Sequence, residues 1–574
     1  MATGPGKTVR SFESNASSVV TAANGARAHA LHVEHLSRLQ RKLYTLKPGV
    51  WCLVGNGLSN QTFIEGPDGI IAIDTGECVE EMRAALKELR AVTQRPIVAV
   101  MYTHFHYVGG TRAVFEEAGK VPVYAHEGIV ANRARVSDEI GPFYGRGLVE
   151  QFGLNLPTEG PDALLHVGLG LAFRFPEHAP FTPGFEAPTV TAATATSWTV
   201  AGLQVEVMPA PSDASDSVTF WFPSLRVAVQ NLVWPALFNI FAIRGEEYRD
   251  PRVLLQGLDH LRQLGADHLL GAHGPPMDGR QDIATRTLKY RDAIQFLWDQ
   301  TVRGMNRGWT ADELAERVRL PASYDADYIT AERYGVAEHH VRQIHSGLKG
   351  WFDGDPAKLF PLPPAERARR LVEGFGGHEV VRKQADAALS AGDVRWATEL
   401  CSWLVKCPTG SPVEQDADRK RLASCLRRIG QGSPAANIRS WALTSARDLE
   451  GVAPMDRFRQ HRFRRAAVIE NPCGSAQVLR VLLDPDRAAG IDHHVRLEFA
   501  EGLSCGVHVR NSVACPTDGQ GAHSVLSLSS DKWADFLTGK ATLRSLVQEG
   551  RAGIQGDPDA VLTLWDCFDI PASK

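Results

Sequence analysis

Two patterns of hydrophobic and polar positions follow one another along the chain. From about residue 44 to residue 277, short runs rich in β-branched residues alternate with segments that repeat an apolar position every three to four residues. The first pattern predicts strands and the second predicts helices. From residue 281 to 449 nearly every segment has the helical period, and after residue 455 the alternation returns. The order predicts α/β layers, then an all-helical region, then an α+β region.

These changes of pattern predict four parts. A chain of 574 residues is too long to fold around one hydrophobic core. The expected parts are an Ala/Ser-rich N-terminal arm (1–43), an α/β domain (44–280), a helical domain (281–449) and an α+β domain (450–574).

Composition does not favour a nucleic-acid-binding, membrane-spanning or secreted protein. A net charge of -4 over the whole chain does not indicate a nucleic-acid partner or an anionic membrane surface. The N-terminal sequence lacks the apolar core of a secretory signal, and no run is apolar for long enough to predict a membrane span. The nine cysteines form no C-x-x-C pair and are odd in number, which favours reduced thiols. We therefore predict a soluble cytoplasmic protein.

The candidate chemistry lies where a predicted strand ends. His104 and His106 alternate, and alternating strand residues point to one face. An isolated H-x-H pair is also common among ordinary hydrogen-bonded surface side chains. Here Gly109 and Gly110 follow, and the strand that ends in Asp74-Thr75-Gly76 lies about thirty residues upstream. This context favours a metal site.

These motifs resemble the metallo-β-lactamase fold, whose dinuclear members carry T-H-x-H-x-D-H-x-G-G. The Asp-His pair of that pattern is absent here. Further segments resemble the type III alkyl sulfatases: 58–62, 290–295, 299–301, 350–356, 406–440 and 445–449. The resemblance implies a metallo-β-lactamase αββα sandwich, an all-α dimerisation domain and an α+β sterol-carrier-protein-like domain. It also implies a homodimer, with contacts mainly from residues 281–449.

The resemblance implies a reduced set of metal ligands. His104 and His106 match the first two ligands of the family. Asp213 stands where the family has a ligating glutamate, with Asp216 as a substitute if the register differs, and His273 matches the late histidine of the second metal site. Asn231 falls at or beside the second ligating glutamate, but a neutral amide is a poor bridge between two cations.

This inventory predicts at most one divalent cation. Two or three histidines with one carboxylate suit Zn²⁺ and also non-haem Fe²⁺. His104, His106 and Asp213 are expected to be essential, and His273 less so. Tyr107 lies inside the shortened motif and is either a proton donor or a ring that fills the gap. His126 is a further local candidate ligand.

Three residues match family positions that face the sulfate. They are Arg244, Arg249 and His339, and the planar fork of arginine suits a sulfate, phosphate or carboxylate. Tyr107, Asn231 and His339 are the candidate catalytic residues. The alternative for each arginine is a salt bridge with Glu246 or Asp250.

The resemblance leaves three functions open. The first is a metal-dependent enzyme that acts on a small anionic or polar organic molecule by hydrolysis of a sulfate ester or a related group. The second is a repurposed metalloenzyme that runs an elimination or an Fe-dependent oxidation. The third is a non-catalytic protein that binds lipids or small molecules through its C-terminal domain.

Overall fold

The computed structural model describes residues 16–570, so residues 1–15 of the predicted arm lie outside the described part. The chain divides into two compact units. One contains residues 16–132 and 147–454, and the other contains residues 133–146 and 455–570. The four parts predicted from the sequence do not correspond one to one to these units, and their boundaries stay a prediction.

The first described elements are a short antiparallel strand pair and a helix. They are β1 (Val19–Thr21), β2 (Arg27–His29) and α1 (Ala30–His35). His32 and His35 of α1 are buried. This segment of the predicted arm is therefore packed rather than extended.

Two sheets follow, as the alternating pattern predicts. The first, in spatial order, consists of β3 (Lys42–Lys47), β4 (Val50–Val54), β5 (Gln61–Glu65), β6 (Ile70–Ile73), β7 (Ile97–Met101), β8 (Val123–His126) and β9 (Val190–Ala192). The second consists of β10 (Thr196–Val200), β11 (Leu203–Pro209), β12 (Val218–Phe222), β13 (Val227–Gln230), β14 (His268–Gly271) and β15 (Met277–Asp278). Ile73 and Met101 of one sheet belong to the same core cluster as Val207 and Phe220 of the other. The sheets therefore form the two inner layers of the αββα sandwich that was predicted.

Helices cover these sheets and then form the helical region. The helices between and after the strands are α2 (Val79–Arg90), α3 (Thr111–Ala118), α4 (Ile129–Ala134), α5 (Gly141–Phe152) and α6 (Pro251–Gln263). Those of the helical region are α7 (Arg280–Met305), α8 (Ala311–Arg317), α9 (Ala337–Lys349), α10 (Pro356–Leu359), α11 (Pro364–Gly374), α12 (His378–Ser390), α13 (Val394–Lys406), α14 (Pro412–Gly432) and α15 (Ala436–Leu449). Thr310 and Glu313 form the predicted capping box at the start of α8.

The α/β and helical regions share a core. Trp234 and Leu258 belong to the same buried cluster as Tyr290, Leu297 and Val341. The boundary predicted between residues 280 and 281 is therefore not a break in packing.

The C-terminal unit is built on a five-stranded sheet. Its elements are α16 (Arg465–Glu470), α17 (Pro472–Val478), β16 (His493–Phe499), β17 (Ser504–Arg510), β18 (Val513–Thr517), β19 (Ser524–Leu528), α18 (Ser530–Leu537), α19 (Leu543–Gln548), β20 (Ala552–Gln555) and α20 (Pro558–Trp565). The strand order is β18-β17-β16-β19-β20. Trp533 and Trp565 pack against Leu497 and Leu526 in its core. Within residues 16–570, no helix combines the length and apolar character needed to cross a bilayer.

Three buried histidines link the N-terminal segment to the rest of the first unit. His166 Nε2 donates to the carbonyl of His32 (2.7 Å), and His35 Nε2 donates to the carbonyl of Gly168 (2.9 Å). The rings of His32 and His166 stack at 3.9 Å between centroids. Burial lowers the pKa of His35 to about 4 and those of His32 and His166 well below their usual value. All three imidazoles are therefore neutral near pH 7.

We expect this cluster to make the protein acid-labile. Between pH 6.5 and about pH 4 the unfolded chain binds a proton at His35 that the folded chain excludes, so stability is complete above this window and falls as the pH falls. The slope is at most about 1.4 kcal/mol per pH unit for each histidine. His35→Gln, which keeps a donor for Gly168, should flatten the dependence of the unfolding free energy on pH between 7 and 5. An unchanged slope in urea titrations would contradict this.

Candidate metal centre

His104 is oriented by a chain of hydrogen bonds that begins at Asp74. Asp74 follows β6 with a left-handed backbone (φ 56°), and its carboxylate accepts from the N–H (2.8 Å) and the hydroxyl (2.6 Å) of Thr103. Thr103 Oγ1 also lies 2.9 Å from His104 Nδ1. Because the single hydroxyl proton goes to Asp74, Thr103 accepts the proton of His104 Nδ1. The lone pair of His104 is therefore on Nε2.

His106 faces Asp213 with Nδ1, whereas His104 faces it with Nε2. His106 Nε2 lies 3.4 Å from Glu246 Oε1 and 3.3 Å from Arg244 Nη2. Glu246 can only accept a proton and Arg244 can only donate one, so these two contacts favour opposite tautomers of His106. A cation bound at Nδ1, beside Asp213, requires the tautomer with its proton on Nε2, where it can point to Glu246. A carboxylate behind a histidine is the usual way in which proteins fix the tautomer of a metal ligand.

His104, His106 and Asp213 form a set of potential ligands for one cation. Asp213 Oδ1 lies 3.8 Å from His104 Nε2, and Asp213 Oδ2 lies 3.2 Å from His106 Nδ1. Neither of these two nitrogens makes a hydrogen bond to any of residues 16–570, although both are buried. Ligands about 2.0–2.1 Å from a tetrahedral zinc ion lie about 3.3–3.4 Å from one another. The donor atoms therefore fit a divalent cation between them.

The charges of the set also fit a cation. Burial lowers the pKa of His104 to about 3, so its imidazole is neutral. Burial opposes ionisation of Asp213, but the neighbouring His104 and His106 hold its pKa well below the usual value. Burial also opposes protonation of His106, but Asp213 and Glu246 raise its pKa above the usual value. The site thus contains an ionised carboxylate beside two imidazoles.

Asp213, and not Asp216, completes the set. Asp216 is buried, and its Oδ1 accepts a long hydrogen bond (3.4 Å) from the N–H of Phe105. Burial raises the pKa of Asp216 to about 6. His126 does not join the set either, because its Nδ1 accepts from the N–H of Gly128 (3.0 Å).

His273 lies next to Tyr107 and outside this set. His273 Nδ1 donates to the carbonyl of Leu58 (3.0 Å), so its lone pair is on Nε2. That nitrogen lies 3.2 Å from the hydroxyl of Tyr107, which therefore donates to it. The Tyr107 ring lies edge-on between His104 and His273, with centroid distances of 5.0 and 5.1 Å. The lone pair on His273 Nε2 therefore accepts the hydrogen bond from Tyr107.

Asn231 presents its amide nitrogen to the centre. Trp234 Nε1, which can only donate, is 3.0 Å from Asn231 Oδ1, and this contact fixes the orientation of the amide. Asn231 Nδ2 then donates to Asp213 Oδ1 (2.6 Å) and to Ser212 Oγ (3.1 Å). With a donor facing the centre, Asn231 supports Asp213 and offers no lone pair to a cation.

The two arginines have different environments. Arg244 Nε donates to Glu246 Oε1 (2.9 Å), which is the salt bridge that the sequence left open as an alternative. Arg249 Nη1 donates to the carbonyl of Asn239 (2.6 Å), while its Nε and Nη2 have no hydrogen-bond partner within residues 16–570. Arg249 is buried, and burial lowers its pKa. A buried guanidinium with unused donors is a ready site for an anion.

His340, next to the predicted His339, lies beside Arg249. The ring of His339 packs edge-on against Phe241 (5.6 Å). His340 Nδ1 accepts from the N–H of Phe241 (3.3 Å), and its Nε2 is buried without a partner among the described residues. Burial lowers the pKa of His340 to about 3, and the positive charge of Arg249 contributes to this decrease. Arg249 and His340 are therefore two neighbouring buried side chains with unused donors.

The sequence could have indicated His340. The buried residues of α9 include Ala337, His340, Val341 and Ile344, which is the spacing of one helix face. His339 is out of phase with that face. Glu246 was considered only as a salt-bridge partner, because nothing in a sequence shows that it reaches His106.

Comparisons with known proteins agree with this geometry. Residues 54–229 match the family model of the metallo-beta-lactamase superfamily, and residues 310–451 match that of alkyl sulfatase dimerisation. A linear primary-alkylsulfatase from Pseudomonas sp. (strain ATCC 19151) is 34% identical over 529 residues, which cover 88% of this chain and 98% of that protein. The chain belongs to the alkyl sulfatase family.

Other members of the alkyl sulfatase family are similarly related. An (R)-specific secondary-alkylsulfatase from Pseudomonas sp. is 29% identical, over 90% of this chain and 79% of that protein. The solved structure of a stereoselective inverting sec-alkylsulfatase from Pseudomonas sp. has a TM-score of 0.81 and 26% identity, over 95% of this chain and 88% of that one. The fold of the whole chain is therefore that of the family, while the sterol-carrier-like character of residues 450–574 stays a prediction.

Proposed function

We propose that this protein hydrolyses sulfate esters of small organic alcohols, with one divalent cation held by His104, His106 and Asp213. The observation that carries the proposal is the combination of two sites. The ligand atoms of a carboxylate and two imidazoles lie within 4.8 Å of one another, and Arg249, a buried arginine with unused donors, interacts electrostatically with Asp213. The curated relatives are alkylsulfatases, which supports a sulfate group as the anion.

The cation, when bound, would polarise the ester and make a water molecule more acidic. The protein's own residues have separate tasks. Arg249 and His340 would bind the sulfate oxygens, and Asn231 holds Asp213 in place through its amide N–H. The hydrolysis consumes one water and yields an alcohol, sulfate and a proton.

The number of cations follows from the residues around the set. A second cation would need ligands where Tyr107 donates to His273 and where Asn231 directs its N–H. Neither residue leaves a lone pair there. We therefore propose one cation per chain, and zinc as its identity.

Two histidines and one carboxylate are also the ligand set of many non-haem Fe²⁺ oxygenases. This favours an Fe-dependent oxidation as the second candidate. The two candidates differ in their need for oxygen and for a redox-active metal, so metal exchange separates them.

The function is tested by measuring sulfate release. We expect the protein loaded with one equivalent of Zn²⁺ to release sulfate and alcohol in equal amounts from linear or secondary alkyl sulfates, with or without oxygen. Asp213→Asn, which keeps the shape but removes the charge, should reduce the rate to that of the metal-free protein. Activity that requires both Fe²⁺ and oxygen and releases no sulfate would overturn the proposal in favour of the oxidation.

We further propose that the protein is a homodimer, with its main contacts in residues 281–449. The match of residues 310–451 to the dimerisation family model supports this. The same region exposes several large apolar side chains, which also favours a partner surface.

A further inference from the structure

A pocket of about 460 Å³ opens on the surface of the first unit. Its walls come from three parts of the chain: the segment around α1, the start of α7 and residues 325–333. None of the proposed metal ligands lines it, and neither does Arg249 or His340. Pockets of roughly 300–1,000 Å³ are usual for small-molecule sites. This pocket, called the arginine pocket below, therefore has the size of a second binding site.

Arg333 is the buried charge of the arginine pocket. It borders the pocket and is 8% exposed. Among residues 16–570 its guanidinium makes no hydrogen bond and has no carboxylate oxygen within 4 Å. The carboxylates of Asp325, Glu34 and Glu332 act on it from further away, but burial outweighs them and lowers its pKa. A desolvated guanidinium with unused donors is a good partner for a carboxylate.

Tyr328 forms an aromatic wall of the pocket that two other arginines contact. The guanidinium carbon of Arg38 lies 4.9 Å from the centre of the Tyr328 ring, and that of Arg286 lies 5.1 Å from it. Asp327 accepts from Nε (2.7 Å) and Nη2 (2.9 Å) of Arg286. This bidentate pair holds Arg286 in place, so a ligand would meet a wall that is already ordered on that side.

Carboxylates outnumber guanidinium groups around the pocket. The lining contains three arginines and four carboxylates, namely Arg38, Arg286, Arg333, Glu34, Asp282, Asp325 and Asp327. Glu34, Asp282 and Asp325 are exposed residues, so they form the rim, whereas the buried Arg333 lies at the base. A simple anion would have to pass the negative rim, and a simple cation would meet the buried arginine. A ligand that carries both charges complements both parts of the pocket.

We propose that the arginine pocket binds a small zwitterion of the amino acid type. Its carboxylate contacts Arg333 at the base, and its ammonium group contacts Glu34 and Asp282 at the rim. Because base and rim have opposite charges, the ligand can bind in one orientation only. This site is additional to the metal centre and does not depend on the hydrolysis of sulfate esters.

The test is isothermal titration calorimetry of the full-length protein with three amino acids of increasing length: glycine, 4-aminobutyrate and 6-aminohexanoate. At least one should bind at one site per chain. It should bind at least about 10-fold more tightly than butyrate or butylamine, which each carry only one of the two charges, because a hydrogen-bonded charged contact contributes a factor of this size. The length that binds best reports the separation of Arg333 from the rim.

Variants of the base and the rim locate the site. Arg333→Met keeps the length of the side chain without its charge and should weaken binding of the best amino acid at least about 10-fold. Its melting temperature should equal or exceed that of the wild type, because a buried charge without an ion-pair partner is removed. Arg333→Lys keeps the charge but not the planar fork, so its affinity should be intermediate. Glu34→Gln should remove most of the preference for the amino acid over butyrate.

Arg367→Met is the matched control. Arg367 is an exposed arginine of α11 that does not line the pocket, so its loss should leave the affinity unchanged. Equal weakening by Arg367→Met would overturn the assignment, as would binding that Arg333→Met and Arg333→Lys leave intact, since the ligand would then lie elsewhere. Butyrate that binds as tightly as the best amino acid would make the pocket a simple anion site. No binding of any of the three amino acids would overturn the proposal outright.

Discussion

His106→Ala should lose its metal on dialysis while the wild-type protein keeps one equivalent. His106 supplies one of three convergent donors, and well-formed zinc sites bind with about 10–16 kcal/mol in total. Removal of one donor in three should cost roughly 3–5 kcal/mol, which weakens the metal dissociation constant by about 10²–10⁴-fold. The measurement is metal content by mass spectrometry after dialysis against a weak chelator.

His273→Ala is the comparison that makes this result specific. His273 Nε2 accepts from Tyr107, so this variant should keep the full equivalent of metal and lose only local stability. Asp213→Ala should behave like His106→Ala. A full equivalent retained by both His106→Ala and Asp213→Ala would refute the ligand assignment, whereas two equivalents in the wild type would refute the single cation.

Arg249→Gln should reduce kcat/KM for an alkyl sulfate by about 10²–10⁴-fold. Hydrogen bonds to a charged group contribute about 1.5–3 kcal/mol each, and Arg249 has two buried nitrogens, Nε and Nη2, available for sulfate oxygens. Arg249→Lys should recover part of the loss, because an ammonium keeps the charge but not the planar fork. Inorganic sulfate should inhibit the wild type and inhibit Arg249→Gln much less.

Arg252→Ala is the control for this prediction. Arg252 lies three residues away, on the surface, and pairs with Asp250, so its loss should change kcat/KM less than about two-fold, as for most exposed ion pairs. If Arg249→Gln kept the wild-type kcat/KM and sulfate inhibition, Arg249 would be a structural residue only.

The fold could be predicted because strands and helices leave local patterns in the sequence and because several segments resemble the alkyl sulfatases. The β-branched runs before Asp74 and His104 mark the strand ends that hold the site, and the Thr310 capping box marks a helix start. His104, His106 and Asp213 could be proposed because the family resemblance assigns each of them to a ligand position. The structure brings these three together.

The orientations at the site could not be predicted in the same way. The direction of the Asn231 amide depends on Trp234, three residues away but placed by the fold. The tautomer of His106 depends on Glu246 and Arg244, which are far from it in the sequence and meet it only in the folded chain. His340 is an additional candidate that the phase of α9 indicates, whereas His339, whose Nδ1 is also buried without a partner among residues 16–570, stays a prediction from the family resemblance.

The indole of Trp234 bears on whether a second cation site could be built here. If the chain holds one cation as proposed, a single substitution would not create a second site. Asn231→Glu alone would direct its new carboxylate towards the Trp234 N–H or against ionised Asp213, and His273 would still be engaged by Tyr107. Restoring the missing Asp-His pair alone would displace Tyr107 and still lack the bridging carboxylate. A second cation site would therefore need several substitutions together, at Asn231, at Tyr107 and in the shortened histidine motif.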